Sequence, residues 1–413
     1  MSIRLKVART EKELEDVFTF RHQVYVTERG KFSGGCGNAK RIVDQYDAVP
    51  SVANIIAYEG DIPVASMRVN RDSEIGLPAE EYFDFTKIRE SIETECRLNG
   101  IEKPVVVGGS MLAIHKDWRN RRNVIFALFK MAAGVMHDWG ASHVIGSISE
   151  ETLGLYGRIG FRPIGDPEWN EEVHDRLVPI LAPFDKVFEW TYGDIGDKIS
   201  PFWLNNFCGQ FERLLLSPGD VLFRQGDAAE QAYAIDEGWV SISRADKHGN
   251  EMVLANLSRG ALFGELAILD KEPRSATATA ISNVGLIVLE RQRLMSIIKN
   301  QPEKMGQLLL HLAKQVRDMD DLALVQAFAP ETRKVEHALS RLWRSADTDS
   351  RDPNVRIAKI GPQQIAKSAQ IREDEVLRVL ETEKAKGVLD YGKRNIRFFQ
   401  EPVMEDIHEV MSQ

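Results

Sequence analysis

Three patterns along the 413 residues predict a multi-domain α+β protein. Residues 1 to about 193 mix short β-rich runs with helical stretches, which reads as an α/β domain. From Phe202 to about Gln301, short strands follow one another between glycines, the pattern of a small β-roll. A long amphipathic helix comes next, then two short helices and two strands. These shifts set expected domains at 1–195, 196–302, 303–330 and 331–413.

In the first domain Val105–Val107, Met111–Ile114 and His143–Ile148 read as strands and Val124–Asp138 as a helix. Around Gly193–Ser200 the pattern lapses into small and polar residues, a plausible boundary. Glycines punctuate the second domain at Gly219, Gly226, Gly238, Gly249, Gly260 and Gly264. Alternation is visible in Val221-Leu-Phe-Arg and in Trp239-Val-Ser-Ile-Ser-Arg. In 303–328 the residues Leu308, Leu309, Leu312, Val316, Met319, Ala323 and Leu324 form one apolar stripe, for packing on its own domain or for a dimer seam. From Gly361, Pro362 and Gln363 open a first helix and Ala366 allows close approach to a second. Ile365, Ile371, Val376 and Leu380 supply buried contacts. After Gly387, two strands are expected around Gly392–Asn395.

Composition narrows the function classes. Hydrophobic content of 43% and charged content of 28% are ordinary for a globular protein. The net charge of −9 argues against general nucleic-acid affinity but allows a local basic face. Cys36, Cys96 and Cys208 lie far apart without CxxC spacing, which argues against a disulfide framework or a metal site. Cys36, in Ser-Gly-Gly-Cys-Gly, reads as a loop residue and not a nucleophile. The opening residues are no signal peptide and no apolar run approaches a membrane span, so a cytoplasmic protein is expected.

The most informative stretch is Phe263–Ala280, with Gly264-Glu265 and, ten residues on, Arg274-Ser275. Glu265 can accept from a ribose 2′-OH, Arg274 can grip a phosphate with its fork, and the Arg-Ser-Ala turn can add backbone donors. The stretch resembles the phosphate-binding cassette of cyclic-nucleotide-binding domains, in kinase regulatory subunits and bacterial catabolite activators. Ser217–Asp227 resembles the same domain's roll. The resemblance implies a cyclic nucleotide held by Gly264, Glu265, Arg274 and Ser275, with cyclic AMP the default. The catabolite activator's adenine-contacting Thr-Ser pair falls on Met319 and Asp320; Asp320 could pair with guanine, which leaves cyclic GMP open, or simply face water.

Gly361–Glu381 and the strands after it resemble the winged helix-turn-helix of the catabolite-activator and fumarate-nitrate regulators (the Crp/Fnr family), which implies a homodimer that contacts double-stranded DNA. Residues 330–400 hold 15 Lys plus Arg against 11 Asp plus Glu, a local charge of +4. Arg372, Arg378, Lys393, Arg394 and Arg397 are the expected DNA contacts. Glu373 stands where the family has a guanine-reading arginine.

The first domain contains Phe20-Arg-His-Gln-Val-Tyr-Val-Thr-Glu-Arg, Asp44-Gln-Tyr-Asp47 and Ala65-Ser-Met-Arg68. It also contains Met111-Leu-Ala-Ile-His-Lys-Asp-Trp-Arg-Asn-Arg-Arg and Leu155-Tyr-Gly-Arg-Ile-Gly-Phe161. This order resembles the GNAT acyltransferase fold, and the Asp-Gln-Tyr-Asp box with Arg68 resembles its acyl-homoserine-lactone and N-acyl amino acid synthases. The resemblance implies an acyl donor, acyl carrier protein or acyl-CoA, bound at Arg119, Arg121 and Arg122 before a helix. It implies substrate contacts at Arg21, Asp44, Asp47 and Arg68. It further implies an oxyanion held by backbone amides of Ser110–Leu112 (Ser110 and Leu112 named) and Tyr156 as the acid that protonates the leaving thiolate. The synthases' Glu-x-Ser-Arg is replaced by Gly109-Ser-Met111, so Asp44, Asp47, Glu28 and His115 are the candidates for the missing carboxylate's role. No metal is expected. Three activities follow from these resemblances: a nucleotide-responsive N-acyltransferase, a nucleotide-dependent transcription regulator with a non-catalytic acyl-metabolite sensor, and a protein lysine acetyltransferase.

Overall fold

Strand β1 (Ile3–Val7) begins the first of two compact units, Ser2–Leu214 and Leu215 onward, in a computed structural model. The structure describes residues 2–32, 40–192, 212–300, 302–349 and 352–402; Cys36, Cys208 and the expected boundary at Gly193–Ser200 lie outside them.

In the first unit β1 pairs antiparallel with β2 (Val52–Glu59), which pairs with β3 (Ile62–Arg71), which pairs with β4 (Val106–Ile114). Helix α1 (Glu11–His22) starts at Thr10, whose hydroxyl and the Glu13 carboxylate form a reciprocal capping box. It runs straight into a π-helical turn, Gln23–Glu28. Beyond β4, α3 (Arg122–Asp138) follows a second helix, α2 (Thr86–Leu98), and leads to β5 (His143–Ser149). β5 lies parallel to β4 and antiparallel to β6 (Asp175–Pro183). α3 is buried along most of its length, including Leu128, Phe129, Met131 and Met136.

The sequence suggested two strands at 105–107 and 111–114. The structure joins them into one, because Gly108 and Gly109 are carried through the ladder by pairing with Asn70 and Val69. The helix expected at Val124 starts two residues earlier, at Arg122.

In the second unit, one group of strands comprises Gln231–Glu237, Leu262–Phe263 and Val284–Glu290, and another runs in the order 221–223, 277–280, 240–245, 251–257. Together they form the β-roll. A 27-residue helix, Pro302–Phe328, follows. The apolar stripe expected there is not the buried face: of its residues Leu308 is buried, whereas Leu309, Val316 and Met319 are exposed at 58%, 59% and 56%, and Leu322 and Val325, outside the stripe, are buried instead.

Helices Glu331–Ser345, Pro362–Ala369 and Glu373–Ala385, with strands 356–358, 389–391 and 396–398, complete a winged helix-turn-helix. Gln370, in the left-handed region at φ 55°, makes the sharp turn between its two short helices. Gly361 is needed because a Cβ there would lie 2.0 Å from the Lys393 carbonyl oxygen on the wing. The module's core of Val335, Leu339, Ile365, Val376, Leu380 and Phe398 is completed by Trp239 of the β-roll, fully buried among them. Asn256 donates to the Ser368 hydroxyl at 2.6 Å and Ser258 to the Ser345 carbonyl at 2.7 Å across the same contact.

Candidate functional sites

Facing residues across β3 and β4 fall out of step between Arg68–Ser110 and Ser66–Ala113. Met67 alone thus opposes both Met111 and Leu112. This is a β-bulge, and Met111 takes a positive φ of 51° to make it. The bulge frees backbone from the ladder at the residues expected to hold an oxyanion. β4 and β5 pair only over 106–108 and 143–145, and then part. An apolar cavity opens there, lined by Met67, Gly109, Phe129, Gly146, Tyr156 and Phe161 among others. The π-helical turn reaches the same edge: Tyr25 donates its hydroxyl to the Leu112 carbonyl at 2.8 Å. Burial pushes the Tyr25 phenol up to about 12.

Arg21, Asp44, Asp47 and Arg68 are brought together beside the bulge. Arg21 and Arg68 are both fully buried. Arg21 Nη1 meets both oxygens of Asp47 at 3.0 Å, and Arg68 Nη1 meets Asp47 Oδ2 at 2.9 Å and Asp44 Oδ1 at 2.5 Å. Arg68 Nε donates to Ser110 Oγ at 3.0 Å, which ties the Asp-Gln-Tyr-Asp box to the bulged strand. Burial alone would raise the Asp47 carboxyl, but Arg21 and then Arg68 outweigh it and hold it below the usual carboxylate range. Two cations and two anions balance, so the cluster is a neutral, largely dry network. Its wettest member is Asp44, with 32% of its side chain exposed.

Asn54 was not foreseen. It sits near the start of β2, donating to Asp47 at 3.1 Å and accepting from Arg21. A buried amide in the apolar run Val52-Ala-Asn-Ile-Ile is the signal that could have found it.

The three arginines before α3 separate. Arg119 is committed, with Nη2 on Glu28 at 2.5 Å and Nε on the Ile114 carbonyl at 3.1 Å. Arg121 lies over the Trp118 ring at 4.1 Å and, like Arg122, is exposed. His115 Nε2 stands 3.6 Å from Glu28 Oε1. Tyr156 is half-buried, packed edge-on against Phe129 and Phe161. Desolvation raises its pKa well above the usual phenol range, so it keeps its proton.

In the β-roll, Gly264 takes a left-handed φ of 73°, and a Cβ there would fall 2.7 Å from Arg274 Nη1. Arg274 is buried. Nη1 donates to the Gly264 carbonyl at 2.7 Å and Nη2 to the Gln231 carbonyl at 2.6 Å, over the Phe223 ring at 4.1 Å. Its Nε is buried without a hydrogen-bond partner. Glu265 is 2% exposed at the start of the short helix Glu265–Asp270, and burial raises its pKa. Ser275 is exposed beside them.

Residues 16–182 match the family model of the N-acyl amino acid synthase FeeM, and residues 213–301 match that of the cyclic nucleotide-binding domain. The chain joins these two kinds of domain. Its second half is similar to the cyclic AMP receptor protein of Thermus thermophilus, 29% identical over 197 residues, covering 48% of this chain and 88% of that protein. It is also similar to the CRP-like cAMP-activated global transcriptional regulator of Mycobacterium tuberculosis. That match is 36% identical over 99 residues, 24% of this chain and 44% of the other. Among solved structures, the c-di-GMP responsive global regulator CLP of Xanthomonas campestris aligns at 21% identity with a TM-score of 0.36, over 45% of this chain and 93% of that one. These relatives and neighbours are Crp/Fnr regulators.

On the winged helix, three of the five expected DNA-contacting cations already have carboxylate partners. Arg372 meets Asp374 at 2.6 Å, Arg378 meets Glu375, and Arg397 meets Asp349 at 3.1 Å. Lys393 and Arg394 on the wing turn are exposed, and so is Asp320 on the long helix. Among the described residues no cluster of His, Cys, Asp and Glu could hold a metal, and no helix is long and apolar enough to cross a membrane.

Proposed function

We propose that the chain is a cyclic-nucleotide-responsive N-acyltransferase that moves an acyl group from acyl carrier protein or acyl-CoA to an amine. The observation that carries this reading is the bulge at Met111–Leu112, set where β4 and β5 part over an apolar cavity and tied through Ser110 to the Arg68–Asp47 network. The acyl chain enters the cavity. The amine attacks the thioester carbonyl, the C–N bond forms and the C–S bond breaks. Backbone amides of Ser110–Leu112 steady the oxyanion. The thiolate leaves with a proton from Tyr156, which burial keeps protonated, and the proton that the amine loses passes through water to the Tyr156 oxygen. Arg121 and Arg122, exposed at the start of α3, attract the carrier's phosphate. The Arg21, Asp44, Asp47 and Arg68 network shapes the acceptor side, with Asp44 the member that reaches solvent.

In the second unit the ligand is a cyclic nucleotide, cyclic AMP by default, bound at Gly264, Glu265, Arg274 and Ser275. Leu309, Val316 and Met319, exposed along the long helix, form the seam of a homodimer. Mass spectrometry of organic extracts from a host expressing the full chain, beside one expressing Tyr156→Phe, tests the activity. A new N-acyl amine lost in the variant supports it, and no new species in either host overturns it.

The winged helix favours a second reading, a nucleotide-dependent regulator of transcription whose first domain senses an acyl metabolite. A shift of double-stranded DNA around its own gene that requires cyclic nucleotide supports that reading. Absence of any nucleotide-dependent shift removes it.

A further inference from the structure

At the starting end of β5, away from the parted strands, the first unit holds a groove of about 420 Å³, within the range of small-molecule sites. It shares no lining residue with the cavity beneath the bulge. One wall is an aromatic stack. The His137 ring lies on Phe188, centroids 4.8 Å apart and 26° from parallel, and Phe184 stands behind at 6.4 Å. The other wall is polar. The His143 side chain is 6% exposed and faces Glu95, whose side chain is 58% exposed. Ser142 Oγ donates to the Val105 carbonyl at 3.0 Å, so it accepts from His143 Nδ1 at 3.3 Å. His143 Nε2 is then left with a lone pair. It stands 3.8 Å from Glu95 Oε2, beyond hydrogen-bond reach. Burial lowers the His143 pKa against the pull of Glu95 and Asp185, so the ring is uncharged at neutral pH. Two acceptors thus face each other, and among the described residues no donor joins them. Asp185 adds a second carboxylate, and no described lysine or arginine lines the groove.

A buried lone pair beside a carboxylate costs free energy until a donor joins the two. A primary ammonium supplies an N–H bond to each and a positive charge for the acids. The aromatic stack offers a flat apolar surface to whatever carries that ammonium. We propose that this groove binds a small primary amine with an aromatic body, its ammonium between His143 Nε2 and Glu95 and its ring against His137 and Phe188. A metal ion does not fit, because among the described residues no third ligand completes a set with His143 and Glu95. The site is independent of both the acyl-transfer and the nucleotide readings.

Phenylethylamine is the probe, with phenylethanol and phenylpropionate as its neutral and anionic counterparts. Calorimetric titration of the full chain at about pH 8 keeps imidazoles uncharged and the amine charged. Wild type should bind the amine about tenfold more tightly than the alcohol and should not bind the anion. Glu95→Gln changes an exposed side chain and leaves the fold intact. It should weaken the amine about 2–5-fold, the range of an exposed ion pair, and leave the alcohol unchanged. Phe188→Ala removes the wall and should weaken amine and alcohol alike. Equal binding of amine and alcohol overturns the proposal. So does amine binding that neither substitution moves, or no amine binding at millimolar concentration.

Discussion

Replacing Asp47 by Asn keeps the side chain's shape and removes its charge, which makes it the sharpest probe of the first unit. The carboxylate takes two contacts from Arg21 at 3.0 Å, one from Arg68 at 2.9 Å, one from Asn54 at 3.1 Å and one from the Asp44 amide at 3.3 Å. Both arginines are fully buried, so the loss leaves two guanidinium groups facing each other with only Asp44 to balance them. Removing one partner of a buried pair costs about 3–5 kcal/mol, because an uncompensated charge remains. For a unit of this size that is a fall of roughly 6–20 °C in its melting temperature.

Urea unfolding of the full chain, followed by fluorescence and circular dichroism, reads the effect in the transition assigned to the first unit. The pH dependence gives a second reading. Asp47 is held below its ordinary value in the folded state, so its contribution is full above the unfolded carboxylate pKa. It is lost as pH falls through the lower folded value. Asp47→Asn should therefore flatten the acid limb of stability below about pH 4. Adding Arg68→Met to Asp47→Asn should recover part of the loss. A cost under about 1 kcal/mol would refute the buried-network account, since that is the range of an exposed pair. An unchanged acid limb would refute it as well.

Three further outcomes are expected. Gly264→Ala forces a left-handed φ of 73° on a residue with a Cβ and drives it against Arg274. It should cost about 1–2 kcal/mol and weaken cyclic nucleotide binding about tenfold, read by thermal unfolding and titration. His337, buried beside Arg341, has a pKa lowered to about 4, first by burial and then by that arginine. The unfolded chain takes up a proton that the folded chain refuses, so stability of the second unit should fall as pH drops from about 6.5 toward 4, less so in His337→Gln. Gly109→Leu places a side chain in the cavity under the parted strands, and any N-acyl product should shift to shorter chains by mass spectrometry.

Local pattern made much of the architecture legible. The cassette from Gly264 to Ser275, the helix-turn-helix from Gly361 and the long helix after Pro302 are each written in contiguous residues. Turn glycines, helix starts and apolar spacing act there within a few positions. The box at Asp44–Asp47 was legible as a motif, but its state was not. Only the folded sheet shows that Arg21, from α1, and Arg68, from β3, bury against the same carboxylate, with Asn54 joining them from β2.

The same limit applies wherever partners are far apart in sequence. The bulge at Met111 arises from register against β3, and a strand's own residues do not reveal the register it will adopt. Trp239 completes the core of a module about a hundred residues away. Sequence by itself determined which residues could bind an anion, turn a chain or bury a face, since those properties belong to single side chains and their near neighbours. Tertiary structure decided which of those groups are already spoken for, because a charge or a hydroxyl is free only if no distant residue has been folded against it.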